Sequence, residues 1–160
     1  MGPEEAQPRR SGVRIAVDVG TVRVGVAASD AGGILASPVA TLARDVKRGT
    51  DLDAVAGLVT EREAVEVLVG LPRHLSGREG SSVTMARRYA AQLAARIAPV
   101  PVRMVDERLT TVSAERDLAA AGMSARQRRA VVDQAAAVVL LQAELEALRR
   151  RGATDDGGAG

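Results

Sequence analysis

The chain of 160 residues is long enough to bury one core, and its composition, 46% hydrophobic and 26% charged, is that of a globular domain. It has no cysteine, one histidine (His74) and a single aromatic side chain (Tyr89), which excludes disulfides, a thiolate nucleophile, Cys- or His-built metal sites and base stacking on aromatic rings. The net charge is only +2, yet Lys47 is the only lysine among 22 cationic residues, leaving 21 arginines, a bias that suits phosphate contacts and that a GC-rich genome also produces.

The opening stretch, residues 1–12, has no periodic apolar pattern and no apolar core of a secretory signal, so it is read as a disordered segment. Residues 13–151 are then read as one domain and 152–160, "GATDDGGAG", as a disordered tail. The longest apolar run, Ala135 to Leu141, is too short to cross a bilayer, and a cytoplasmic location with no membrane partner is expected.

Three strands are predicted first, at 14–18, 22–29 and within "ILASPVATL" (34–42). "DAGG" at 30–33 marks a hairpin turn, and the short connections make an antiparallel meander. Residues 51–63 carry helical spacing, with Leu52, Val55, Ala56 and Val59 on one side. "VEVLVGLP" (65–72) reads as a buried strand, 80–97 as a helix and "VPVRMVD" (100–106) as a fifth strand. Alternation of strand and helix argues for parallel pairing of strands 1, 4 and 5 through right-handed crossovers. Two helices close the chain, broken at Gly122, the second opened by a Ser124–Gln127 capping box. The expected fold class is therefore α/β: a five-stranded mixed sheet, strands 1–3 a meander, with helices on both faces.

Ligands of such sheets sit beyond the carboxyl ends of the parallel strands. Asp18 ends the first strand among apolar neighbours, where an unmatched charge is costly. Asp106 and Glu107 end the fifth, and the loop bearing Arg73, His74 and Arg78 leaves the fourth. Asp133, on the last helix, would join them if that helix packs across the same edge. Each has a plainer reading too: Asp18 as a solvated turn residue, Asp106-Glu107-Arg108 as a surface charge cluster, Asp133 as part of a polar helix face. Together, three carboxylates from separate elements make an oxygen-only site for divalent cations. Such a site cleaves phosphodiesters without a side-chain nucleophile, and Gly20 would let backbone and phosphate approach closely. Arg23 stands beside Asp18 as its pairing partner or a phosphate contact. Arg73, His74 and Arg78 are the substrate-facing candidates.

The segments "AVDVGTVRVGVAASD", "ILASPVATL", "VLVGLPRHLSG", "VDERLTT" and "VVDQAAAVVLLQ" resemble, in order and spacing, the YqgF/RuvX family, from about Arg14 to Leu145. That family is described both as Holliday-junction resolvases and as pre-16S rRNA processing nucleases. The resemblance implies an RNase H-like fold and a metal-dependent nuclease using Mg²⁺ or Mn²⁺, two ions being expected. It marks Asp18, Glu107 and Asp133 as catalytic and metal-binding, with Asp106 in support. It also implies a nucleic-acid partner: a structured rRNA precursor first, branched DNA second, with a homodimer where a symmetric junction is cut. In many members the crevice loop reads GLP-x-N-M-D-G, whereas here it is "GLPRHLSGR", so its substrate contacts transfer least well. Two rivals stand beside this reading. One is an actin-like ATPase phosphate loop, which would need a second domain; the other is a non-catalytic ribosome-assembly factor holding RNA.

Overall fold

The computed structural model of the chain describes residues 11–71, 80–107 and 125–157, and in the last helix the side chains of residues 134–153. In order, the elements are β1 (Arg14–Val19), β2 (Arg23–Ser29), β3 (Ala36–Ala43), α1 (Thr50–Glu61), β4 (Glu66–Leu71), α2 (Ser81–Ile97), β5 (Val102–Asp106) and α3 (Ala125–Gly157). The strands form one sheet of order β3-β2-β1-β4-β5, antiparallel across β1–β2–β3 and parallel across β1–β4–β5. This is the mixed sheet expected from the sequence.

Alternation along the strands divides the core in two. Ile15, Val17, Val19, Val24, Val26, Val67 and Val69 face α1 and α2, where Leu52, Val55, Val59, Leu93 and the fully buried Tyr89 meet them. Ala16, Ala27, Leu68 and Val105 face the other way, against Ala137, Leu140, Leu141 and Leu145 of α3. Small residues on the α3 side let one long helix lie close across β2, β3, β1 and β4. β3 is fixed to that helix by Gln142, whose amide accepts from the Ala36 N–H and donates to the Ile34 carbonyl, both at 2.9 Å. At the other end of the sheet, Glu66 accepts from Arg14 and Arg103, each at 3.2 Å, and Arg103 reaches Glu144 of α3 at 2.9 Å.

Two features differ from expectation. β3 starts at Ala36, because Asp30 Oδ1 accepts from the Ile34 and Leu35 amides (2.7 and 2.9 Å) and draws those residues into the turn. The last helix runs on to Gly157, so residues 152–157 are helical rather than a disordered tail. Once the packed stripe of α3 has nucleated the helix, propagation costs little per residue. The predicted break at Gly122, the Ser124 cap and residues 1–10 of the expected N-terminal segment lie outside the described residues, as do 158–160.

Candidate active site at the carboxyl edge

The parallel strands bring three candidate positions to one edge. Val17 of β1 is level with Val69 of β4, so one step further Asp18 and Gly70 lie side by side; Gly70 in turn pairs with Val105 of β5. Asp18 and Gly70 both follow residues of the α1/α2 core, so alternation turns both toward α3. Glu107 is the first residue past β5, and its Oε1 is 2.7 Å from where a β-carbon on Gly70 would stand, with Leu140 of α3 at 3.2 Å from the same point. A side chain there would have to displace the Glu107 carboxylate and crowd Leu140.

This placement separates two neighbours that the sequence left undecided. Val105 belongs to the α3 face, so Asp106 is on the α1/α2 face, while the Glu107 carboxylate lies over Gly70 on the α3 face with Asp18. Asp18, Asp106 and Glu107 are all half-buried.

The turn after β1 is closed by the Gly20 N–H donating to the Arg23 carbonyl at 2.8 Å, and a β-carbon on Gly20 would meet that oxygen at the same distance. Arg23 opens β2 two residues from Gly25, the partner of Asp18, and so shares its face on the diagonal.

Asp133 is on α3, seven residues before Leu140, and thus on the helical stripe that continues as Ala137, Leu140, Leu141 and Glu144. Leu140 lies by Gly70, whereas Glu144 bonds Arg103 further down β5, so the helix climbs N-terminally toward the carboxyl edge. Position 133 is then about 10 Å beyond Leu140 along the axis, past the level at which the strands end. Its side chain, like Arg73, His74 and Arg78, lies outside the described set. Among described residues no three His, Cys, Asp or Glu side chains form a metal cluster.

Sequence reading passed over Gly70. Its signal was the glycine ending "VLVG", one residue before the strand's last position, where a side chain is dispensed with so that a neighbour can be seated. It also passed over "ARDVKRG" after β3, three cations within five residues at this same edge.

A family profile described as "RuvX: Holliday junction resolvase" matches residues 12–147. Among curated relatives, one from Frankia casuarinae is 60% identical over 145 residues, covering 91% of this chain and 71% of its own length. Another, from Mycobacteroides abscessus, is 53% identical over 155 residues, covering 97% and 92%. Both carry the name "Putative pre-16S rRNA nuclease". Among solved structures, Thermus thermophilus RuvC in complex with a Holliday junction substrate superposes with a TM-score of 0.53 at 15% identity, over 89% of this chain and 97% of that one. At that identity the likeness is one of fold.

Proposed function

Because this chain belongs to the RuvX family, we propose that it is a metal-dependent nuclease whose site is Asp18, Glu107 and Asp133, and that it processes the precursor of 16S rRNA. The observation that carries this reading is the seating of the Glu107 carboxylate over Gly70, on the face and at the level of Asp18, below the helix that bears Asp133. The donor set is all oxygen, which suits Mg²⁺ or Mn²⁺, and the chain has no cysteine and only one histidine to offer instead. Bound there, one or two such cations would supply charge neutralisation at the scissile phosphate and activation of water.

The chain's own residues do the remaining work. Asp18 is held by β1 at a fixed level of a rigid sheet, and Glu107 is kept in place by the missing side chain of Gly70 and by Leu140. The tight turn at Gly20 clears space for a phosphate to approach the backbone, and Arg23 stands on the same face to meet it. Asp106, on the opposite face, supports the strand end without sharing the site. Arg73, His74 and Arg78 belong to the segment joining β4 to α2 at this edge, and are assigned to substrate contact.

The rRNA precursor is preferred because the similar proteins are named for it, with branched DNA as the second reading on the family profile's own description. The second reading would ask for a homodimer, since two symmetric strands are cut. No described helix is long and apolar enough to cross a membrane, and a cytoplasmic place of action follows from an rRNA substrate. The test is cleavage of an rRNA precursor and a four-way DNA junction side by side, with Mg²⁺, Mn²⁺ or chelator. Metal-dependent cutting of the RNA is expected; preference for the junction would transfer the assignment to DNA. Binding of either without cutting would leave an assembly factor.

A further inference from the structure

The opposite face of the same edge holds a second feature that the nuclease reading does not use. A cavity of about 560 Å³ opens between the segment after β3 and one side of α2, from Ser81 to Arg96, within the range of small-ligand sites. Five cationic side chains line it, Arg44, Lys47, Arg48, Arg88 and Arg96, against two carboxylates, Asp45 and Asp51. Both carboxylates are engaged in the local frame: Asp45 accepts from the Arg48 amide and the Thr50 hydroxyl (3.1 and 2.7 Å), and the buried Asp51 from the Asp45 amide at 3.4 Å. Arg96 is paired with Asp53 at 3.0 Å.

Two groups there have donors outside good hydrogen-bonding geometry. Tyr89 is 1% exposed, and its hydroxyl faces the buried Asp51 carboxylate without closing a well-formed hydrogen bond to it. The Arg44 guanidinium lies over the Tyr89 ring, 5.2 Å from its centre, and its buried Nε and Nη1 are likewise unbonded. These donor atoms stand at the wall of a cavity in which cations outnumber carboxylates, where an anion is the complementary occupant. The N-terminus of α2, whose first turn carries no acidic residue, also opens at this edge and adds positive field, whereas that of α1 carries Asp51 and Asp53. The cavity is also joined to the first site: the Arg44 amide donates to the Val22 carbonyl at 2.8 Å, inside the turn that carries Gly20 and Arg23.

We propose that this cavity is a phosphate-binding site, filled by a backbone phosphate of the strand that the carboxylate face cuts, with Arg44 and Tyr89 as the inner donors and Lys47, Arg48 and Arg88 at the rim. This rests on the nuclease reading for its occupant, though not for its chemistry. A free nucleotide or inorganic phosphate has the same acceptor atoms, and the test separates the two sources.

Tyr89 is the chain's only aromatic residue, so its ring NMR signals report on this cavity alone. With chelator present to prevent cutting, a short oligoribonucleotide, a mononucleotide and inorganic phosphate are each titrated into the full-length protein. The oligoribonucleotide is expected to shift the ring signals. Lys47→Gln combined with Arg88→Gln, both exposed positions, should weaken its binding about tenfold and reduce the slope of log affinity against log salt by about 1.4. Tyr89→Phe, which keeps the ring packed under Arg44, should weaken binding severalfold. Ring shifts with phosphate or the mononucleotide, with oligoribonucleotide affinity indifferent to the variants, would overturn the strand as the source. Silence of the ring toward all three ligands would overturn the site itself. If the ring responds while the wild type cuts nothing with metal present, the nuclease reading fails and the phosphate site stands.

Discussion

The two faces of one sheet edge differ in charge and in how each is built. On the α3 face, two half-buried carboxylates are placed by strand register, and the tightest contact is made possible by an absent side chain, that of Gly70. On the α1/α2 face, cations come from an irregular segment and from helix turns, held together by Asp45 and stacked on one tyrosine. Register places a few atoms to within tenths of an ångström, as chemistry at a scissile bond demands. A cationic rim needs only to be near a polyanion, where electrostatic attraction is long-ranged and tolerant of position. On the proposed reading the acidic face cuts and the basic face holds.

The largest effect that sharpens this contrast is expected from Asp18→Asn. Cutting should fall about a thousandfold or more, because several kcal/mol of charge stabilisation at the phosphate goes with one ligand. RNA affinity measured with chelator should stay within a few-fold. Leu140→Ala attacks the acidic face through its packing. The fully buried side chain beside Gly70 should cost about 2–5 kcal/mol in denaturant unfolding. Gly70→Ala is a smaller and more local insult, since the new methyl must displace Glu107 and crowd Leu140. A loss of about 1–3 kcal/mol is expected, together with reduced cutting and unchanged RNA affinity. Gly57→Ala is its control: nothing lies within 4 Å of a β-carbon there, in mid-helix α1, and stabilisation by about 0.5–1 kcal/mol should follow.

The smallest effect concerns the frame of the basic face. Hydrogen bonds, first from the Thr50 hydroxyl and then from the Arg48 amide, hold the Asp45 carboxyl below its ordinary value of 3.8. A group whose folded-state pKa is depressed contributes stability above its unfolded value and loses it as pH falls through the folded one. Hydrogen exchange at the Arg48 and Thr50 amides, corrected for intrinsic rates, should therefore show constant protection from pH 8 to pH 5, with loosening only under about pH 4.

The sequence made the sheet legible because its strands are short apolar runs punctuated by glycine, proline and hairpin signals, and strand–helix alternation leaves few topologies. Asp18 stood out for a similar reason, as a charge at the end of a buried run. Choosing Glu107 over Asp106 was beyond periodicity alone, since both follow β5 and only the observed register with Gly70 puts one of them on the face of Asp18. The basic cavity was illegible for a different reason. Arg44 and Tyr89 are 45 positions apart, and a tyrosine in a helical apolar stripe reads as core, which it also is. Its unmade hydrogen bond is visible only in three dimensions. The turn formed by Asp30 displaced the predicted start of β3 because a side chain captured two amides that the strand pattern had claimed.

The most direct test of a cutting face and a holding face is single-turnover cleavage of an rRNA precursor across a range of protein concentrations, comparing Asp18→Asn with Lys47→Gln/Arg88→Gln. The account predicts that Asp18→Asn lowers the rate at saturating protein while half-saturation stays where it is. It predicts that the double variant shifts half-saturation about tenfold and regains the wild-type rate once saturated. If both variants changed the same parameter, or if Asp18→Asn cut as fast as the wild type, the division of the edge into two functions would be contradicted.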